Sequence, residues 1–474
     1  MVILFANKIT HRLRYIADFI GKEITGNPFQ LTADIEEYKN AGGPKINYSE
    51  RQIGGDEFLL CPHSLLFEVG IRPQAVKCFE TNACLPDRQG YKFFFKTVGD
   101  YPFDIFAASF YLLSRYEEYL PYKKDMYGRY AHQHSLAFKE NFLNLPLINI
   151  WLQDFKEKLK QKFPSLILRH TSFSFLPTYD IDEGFCYKHK PWWKTWGGYC
   201  RSLIKGDFWE VKERRSVLKG IQKDPYDSLF QIKDLHKRYH YLDANIFFLV
   251  APKSGRYDKN ISPLNKEWQE YIRNFFEKEP EWTKIPQPHL YAGLHPSWQS
   301  GGRPELVKKE MDLLQYKIGI EANGSRQHFM RFSLPQTFRQ LIEAGIYSDY
   351  SMGYGSINGF RASVASSFYW YDLEKEEKTE LRLYPFCYMD ANSFFEQKFT
   401  PQQALEEMLQ YFNIVKSVDG LMITIWHNTF LGTHQRFAGW REVYEDFIRK
   451  IYYQIPFVND QIDDEGMDRQ YFLH

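Results

Sequence analysis

The chain has few cysteines, and none are paired in spacing. Six occur in 474 residues, at positions 61, 78, 84, 186, 200 and 387. No two form C-x-x-C, which excludes a four-cysteine zinc ribbon and a thioredoxin-like redox motif. The thiols are expected to be reduced and partly buried. Excess charge is also missing. Lys plus Arg number 60 and Asp plus Glu 59, for a net charge of +1, so the basic footprint of a general nucleic-acid binder is absent. No apolar run reaches the roughly 18 residues of a membrane span. His11, Arg12, Arg14 and Asp18 interrupt the stretch where a secretory signal needs continuous apolar residues. These absences point to a soluble, cytoplasmic protein with neither nucleic acid nor membrane as partner. There is no internal repeat and no low-complexity segment. No G-x-S-x-G elbow supports a serine hydrolase. The glycine-rich run Gly353-Tyr354-Gly355-Ser356-Ile357-Asn358-Gly359 lacks the Lys-Ser/Thr of a phosphate-binding loop and reads as a plain loop.

Aromatic side chains are abundant, at 18% of the chain. Such rings fill large cores and also line sugar-binding grooves. Two amphipathic helices are expected early, over Asp104–Tyr119 and Pro146–Lys162, the second stopped by Phe163-Pro164-Ser165. They assign residues 1–165 to a smaller N-terminal α/β domain. Beyond it, apolar strands alternate with helices. Strands are expected at Ser172–Tyr179, Asn245–Ala251, Leu290–Leu294 and Gly420–Trp426. Helices are expected at Ser228–Tyr239, Pro304–Ile318, Thr337–Ala344 and Pro401–Ser417. That alternation argues for βα units and a largely parallel sheet or barrel over 168–458. Residues 459–474, with Asp460, Asp463, Asp464 and Glu465, read as a solvated acidic tail.

Chemistry in such folds gathers at strand C-termini, where Asp180, Asp182, His295 and His427 all fall. In Thr178-Tyr179-Asp180-Ile181-Asp182 the two acids lie two apart on a strand and face the same way. A cation on one of them relieves their repulsion; a strand-end turn is the plainer reading. His295 ends an apolar strand before Pro296, and an imidazole there suits zinc. Arg326 and Arg331 flank His328 in Ser325–Arg331. His427 closes the apolar strand Ile423–Trp426. The pair His236 and His240 lacks the Glu of H-E-x-x-H and reads as a solvated helix end. Arg115–Tyr119 reads as charge pairs at a helix end.

Taken in order, these segments resemble the polysaccharide deacetylases of carbohydrate esterase family four. Thr178–Asp182 is similar to a D-x-D form of the family's first motif, His295-Pro296-Ser297 to its second, Ser325–Arg331 to its third and Trp426-His427 to its last. Gly359-Phe360-Arg361 and Tyr384-Pro385-Phe386 resemble segments of a bacterial branch that carries an extra N-terminal domain. The resemblance covers about residues 170–450. It implies a distorted (β/α) barrel and a metal-dependent hydrolase removing N- or O-acetyl groups from a carbohydrate or other acetylated small molecule. It further implies a divalent cation, zinc by preference, on Asp182 and His295, with Asp180 as general base and His427 as general acid. Arg326 or Arg331 would orient Asp180 or bind substrate, and Trp298, Tyr350 and Tyr354 would stack on sugar rings. One position departs from the family: Gln299 stands where its second-motif histidine partner falls. Either His328 substitutes, or the cation is bound weakly or not at all. The departure keeps open a non-catalytic carbohydrate-binding relative, and an amidase acting on another acylated small molecule also stays open. The oligomeric state is not legible.

Overall fold

The computed structural model describes residues 1–81, 84–85, 88–239, 242–277 and 289–456. The acidic tail expected at 459–474, and His240, lie outside the described residues.

The chain opens with parallel strands. Ile3–Ala6 lies between Gln30–Thr32 and Lys45–Tyr48, and Phe58–Leu59 adds to the far edge. Helix His11–Thr25 crosses behind them. Thr10 caps its start by accepting from the Leu13 amide, and Gly26 ends it at φ 79°, a left-handed position that glycine takes without Cβ strain. Leu13, Ile16, Ile20 and Ile24 form its buried stripe. Asp104 caps helix Ile105–Leu113, which stops there rather than continuing to Tyr119. Arg115 takes φ 52° and turns the chain into a short 3-10 segment, Tyr116–Tyr119. The turn aims the Arg115 guanidinium back at Glu118, 2.8 Å away. Helix Leu147–Lys162 begins one residue after its expected start, with Pro146 at its N-cap.

The second half is built on five parallel strands, in the order Tyr388–Met389, Leu421–His427, Ser174–Ile181, Ala244–Phe248, Leu290–Leu294. The Ser174–Ile181 strand is central and buried from Phe175 onward. The closed barrel expected from the sequence is not formed as a continuous ladder among the described residues. Single bridges, Leu294 to Ser325 and Ser325 to Asp349, extend the sheet. The chain from Glu377 to Met389 then spans the gap. Arg382 and Leu383 pair with Ser348 and Asp349, while Tyr388 and Met389 pair with Thr424 and Ile425. Pro385 sits between these two stretches, and a residue without N–H cannot carry a ladder through. The result is a mixed α/β arc whose strand C-termini share one rim.

The two halves are not separated by a polar seam. One hydrophobic core runs from Val2 to Ile451. Glu118 accepts from Arg115 Nε at 2.8 Å and from Arg361 Nε at 2.9 Å and Nη2 at 2.5 Å, and all three side chains are at most 2% exposed. Arg129 Nη1 donates to the carbonyls of Phe329 and Gly355, each at 3.0 Å.

One further feature differs from the sequence expectation. His236 is not solvated: it is fully buried, with Tyr179 Oη at 2.7 Å from Nε2 and the Leu242 carbonyl at 2.6 Å from Nδ1. Burial pushes its pKa down to about 4. A helical hairpin, Trp192–Ile204 and Phe208–Leu218, follows the central strand; neither helix is among the elements expected from the sequence.

Candidate active site

Asp180 and Asp182 leave the central strand at its C-terminus. His295 leaves the strand two places along the sheet, and His328 follows Ser325 on the next bridge. Asp182, His295 and His328 each present one ligating atom within 4.8 Å of the others'. His295 Nε2 is 3.2 Å from Asp182 Oδ1, and His328 Nε2 is 3.4 Å from Asp182 Oδ2. His427 Nε2 is 3.8 Å from the same Asp182 oxygen.

Each imidazole is held from behind. His295 Nδ1–H donates to the Arg326 carbonyl at 2.5 Å, which leaves Nε2 as the free nitrogen. His328 Nδ1 lies 2.9 Å from Asp258 Oδ1. His427 Nδ1 lies 2.6 Å from Asp390 Oδ1, and its backbone N–H donates to Asp390 Oδ2 at 2.7 Å. Such outer partners fix ring orientation and tautomer at metal sites. Three inward atoms are buried without a hydrogen-bond partner among the described residues: His295 Nε2, Asp182 Oδ1 and Asp180 Oδ2. Burying polar atoms in that state is costly. Two ring nitrogens and a carboxylate oxygen facing one point form a donor set that suits a divalent transition metal.

The charges explain the titration of the cluster. Burial works against ionised Asp182, but the charges on His328 and His427 outweigh it and hold the carboxyl well below its usual range. Burial also opposes charge on His328, yet Asp182 and Asp258 raise it to about 9. For His427, burial is outweighed by Asp390, Asp182 and Asp180, and its pKa rises to about 10.

The candidate residues separate by position. Arg326 is fully buried and donates through Nη1 to Asp180 Oδ1 at 2.8 Å and through Nε to the Tyr350 carbonyl at 3.1 Å. Arg331 is not near Asp180. It donates to the carbonyls of Trp298 and Gly301 and lies over the Trp298 ring at 4.0 Å. Tyr257 packs on that same ring at 4.7 Å, so Trp298 is half-exposed but already engaged. Tyr354 is 2% exposed and accepts from Arg115. Tyr350 is buried and stacked on Tyr384 at 4.5 Å. Neither is open to a sugar ring as placed. The half-exposed rings beside His328 are Phe329, Tyr257 and, from the N-terminal half, Tyr127, with Tyr127 and Tyr257 each 5.3 Å from Phe329. Phe329 and Met330 both have positive φ, 60° and 53°. Bulky residues rarely adopt that conformation, and it tends to persist where surroundings enforce it at a site.

Gln299 does not face the cluster. Its side-chain amide donates to Asp258 Oδ2 at 2.8 Å and to the Lys253 carbonyl at 3.0 Å. Asp258 also accepts from the Trp298 amide at 2.7 Å. Gln299 therefore braces the carboxylate behind His328. Sequence reasoning missed Asp258 and Asp390. Asp258 lies among Gly, Ser, Lys and Asn, which read as an ordinary turn. Asp390 follows Tyr388–Met389, a strand of two residues that is too short to register in the sequence pattern.

Comparison with known proteins adds little to this geometry. Residues 2–164 match a family of unknown function, DUF7033. No curated protein matches the chain. Among solved structures, a putative polysaccharide deacetylase from Mycobacterium smegmatis is 11% identical, with a TM-score of 0.37 over 60% of this chain and 85% of that one. An allantoinase (Puue) is 12% identical, with a TM-score of 0.34 over 60% and 84%. A GH57-type branching enzyme from Pyrococcus horikoshii is 10% identical, with a TM-score of 0.30 over 63% and 71%. At those values the likenesses establish neither family nor chemistry for this chain. Among the described residues no helix is long and apolar enough to cross a membrane.

Proposed function

We propose that the protein is a metal-dependent hydrolase that removes acetyl groups from nitrogen or oxygen of a carbohydrate. The supporting observation is the convergence of Asp182, His295 and His328 beside an arginine-held Asp180 and a carboxylate-held His427. Asp182, His295 and His328 would hold the cation, with zinc favoured by the donor set. When bound, it supplies Lewis acidity toward a carbonyl oxygen and toward water. Asp180, kept in place by Arg326, takes the proton of the attacking water. His427, charged through neutral pH, gives a proton to the departing nitrogen or oxygen. Phe329, Tyr257 and Tyr127 form the apolar wall against which a sugar ring rests. The purified protein should release acetate from acetylated amino sugars or short oligosaccharides, stop after chelation and recover with zinc. A fully metal-loaded protein inert on every acetylated carbohydrate in such a screen would refute the substrate class.

Two outcomes follow from the cluster's electrostatics and its supporting shell. Without a cation, His328 holds its proton up to about pH 9, and a ligating nitrogen must give that proton up. Metal affinity should therefore rise by roughly tenfold per pH unit while one proton is displaced, then level off above about 9. Competition titration with a chromophoric chelator across pH measures this. A flat profile from neutral pH to 9 would remove His328 from the ligand set. Separately, Asp258→Asn should weaken metal binding by about 10- to 100-fold, as loss of an outer partner typically does. Unchanged affinity in the same titration would show that Asp258 does not orient His328.

A further inference from the structure

The segment that follows the central strand carries an amphipathic helix turned outward. In Trp192–Ile204 the buried residue is Ser202. Trp192, Trp193, Trp196, Leu203 and Ile204 are 76, 58, 65, 52 and 86% exposed. At about 100° per residue these five fall within an arc of about 120°. In a surface helix such a stripe normally faces the core; here it faces solvent. The second helix adds Phe208 and Trp209, 69 and 48% exposed. Polar contacts hold the pair together. Ser202 Oγ donates across the pair to Glu210 Oε2 at 2.8 Å, and the Arg214 guanidinium fills the space beside Gly198, where a Cβ would meet it at 2.4 Å. The apolar face is thus left outside by the way the hairpin is built.

Cations border this stripe. From Lys188 to Lys223 there are ten Lys or Arg against three Asp or Glu, in a chain whose net charge is +1. Lys190 pairs with Glu183 at 3.1 Å, and Lys194 donates to Ser254 at 2.8 Å, which ties the hairpin down next to Asp182.

We propose that this hairpin docks the protein onto an anionic lipid bilayer, lying in the interface without spanning it. Indoles suit the headgroup level because the ring is apolar and its N–H stays wet. Flanking lysines and arginines reach lipid phosphates while their stems cover apolar surface. A large apolar face bordered by basic residues is the pattern of interfacial helices. A second copy would bring the same positive charge to the contact, which disfavours self-association there. Docking of this kind places the Asp182 rim beside the bilayer. It does not depend on the hydrolase reading, and it replaces the expectation of no membrane partner.

The test is sedimentation of the full-length protein with vesicles of phosphatidylcholine alone or containing about one third phosphatidylglycerol. Binding to the anionic vesicles should be at least about tenfold the stronger at low salt and should fall as ionic strength rises. Trp192→Ala with Trp196→Ala should lower partitioning about tenfold or more. Lys205→Glu with Lys219→Glu should lower it comparably. All four side chains are exposed, so both variants should keep the wild-type circular dichroism and melting temperature. The proposal is overturned if anionic vesicles bind no protein or if both variants partition like wild type. It is also overturned if light scattering shows self-association that the tryptophan pair abolishes while vesicles bind nothing.

Discussion

Asp182→Asn should leave the purified protein with little divalent metal and no measurable hydrolysis. Asp182 supplies the carboxylate of the triad, and its two oxygens face His295 Nε2 at 3.2 Å and His328 Nε2 at 3.4 Å. An amide keeps the shape and loses the charge that offsets a cation. The matched control is Asp180→Asn. Asp180 bonds Arg326, while its other oxygen lies 3.8 Å from His295 Nε2, so this variant should keep the metal. It should still lower turnover by about 10² to 10⁴, the usual contribution of a placed proton-transfer group. Elemental analysis and acetate release, read together on both variants, separate binding from chemistry. Full metal occupancy in Asp182→Asn would remove the proposed ligand set. Wild-type turnover in Asp180→Asn would remove the proposed base.

The second large effect lies far from the metal. Glu118→Ala should cost about 3–5 kcal/mol of stability, the range seen when one partner of a buried ion pair is removed. Glu118 stands between Arg115 and Arg361, and none of the three is more than 2% exposed. Its loss removes the carboxylate that Arg361 grips with two nitrogens and leaves Arg115 with Glu117 at 2.9 Å. Denaturant unfolding gives the value directly. Adding Arg361→Leu to Glu118→Ala should recover part of the loss, because one uncompensated charge is then gone. A single-variant loss below about 1 kcal/mol would mean that water reaches the pair. The same contacts bear on a fragment covering 168–458. It would expose the face that now meets Phe106, Phe110 and Trp151 within one core, so it should be insoluble when expressed alone.

What could be read from the sequence follows from where periodicity is strong. Leu290–Leu294 matches its expected span, and Leu421–His427 is displaced by one residue, because apolar runs bounded by turns mark buried strands well. Asp180, Asp182, His295 and His427 are conspicuous in the sequence because a polar residue ending an apolar strand stands out. Their outer partners could not be found that way. Asp258 and Asp390 act through contacts with residues 70 and 37 positions away, and nothing local distinguishes them from turn acids. The stacking roles expected of Tyr350 and Tyr354 fail for the converse reason: composition counts rings but does not say which are buried. The hairpin 192–218 has the same origin. Its apolar stripe has helical spacing, yet it faces outward, and spacing alone cannot reveal direction.

The Arg115–Glu118–Arg361 bridge and the seating of Arg129 on Phe329 and Gly355 also constrain recombination. Exchanging residues 1–165 between related chains would transfer Arg115, Glu118 and Arg129 but leave Arg361 and the 329–355 loops behind. A crossover near 165 is therefore tolerated only between parents that agree at both sets of positions. Viable chimaeras should inherit the two sets together, so shuffled libraries selected for soluble expression should show them linked despite more than two hundred residues of intervening sequence.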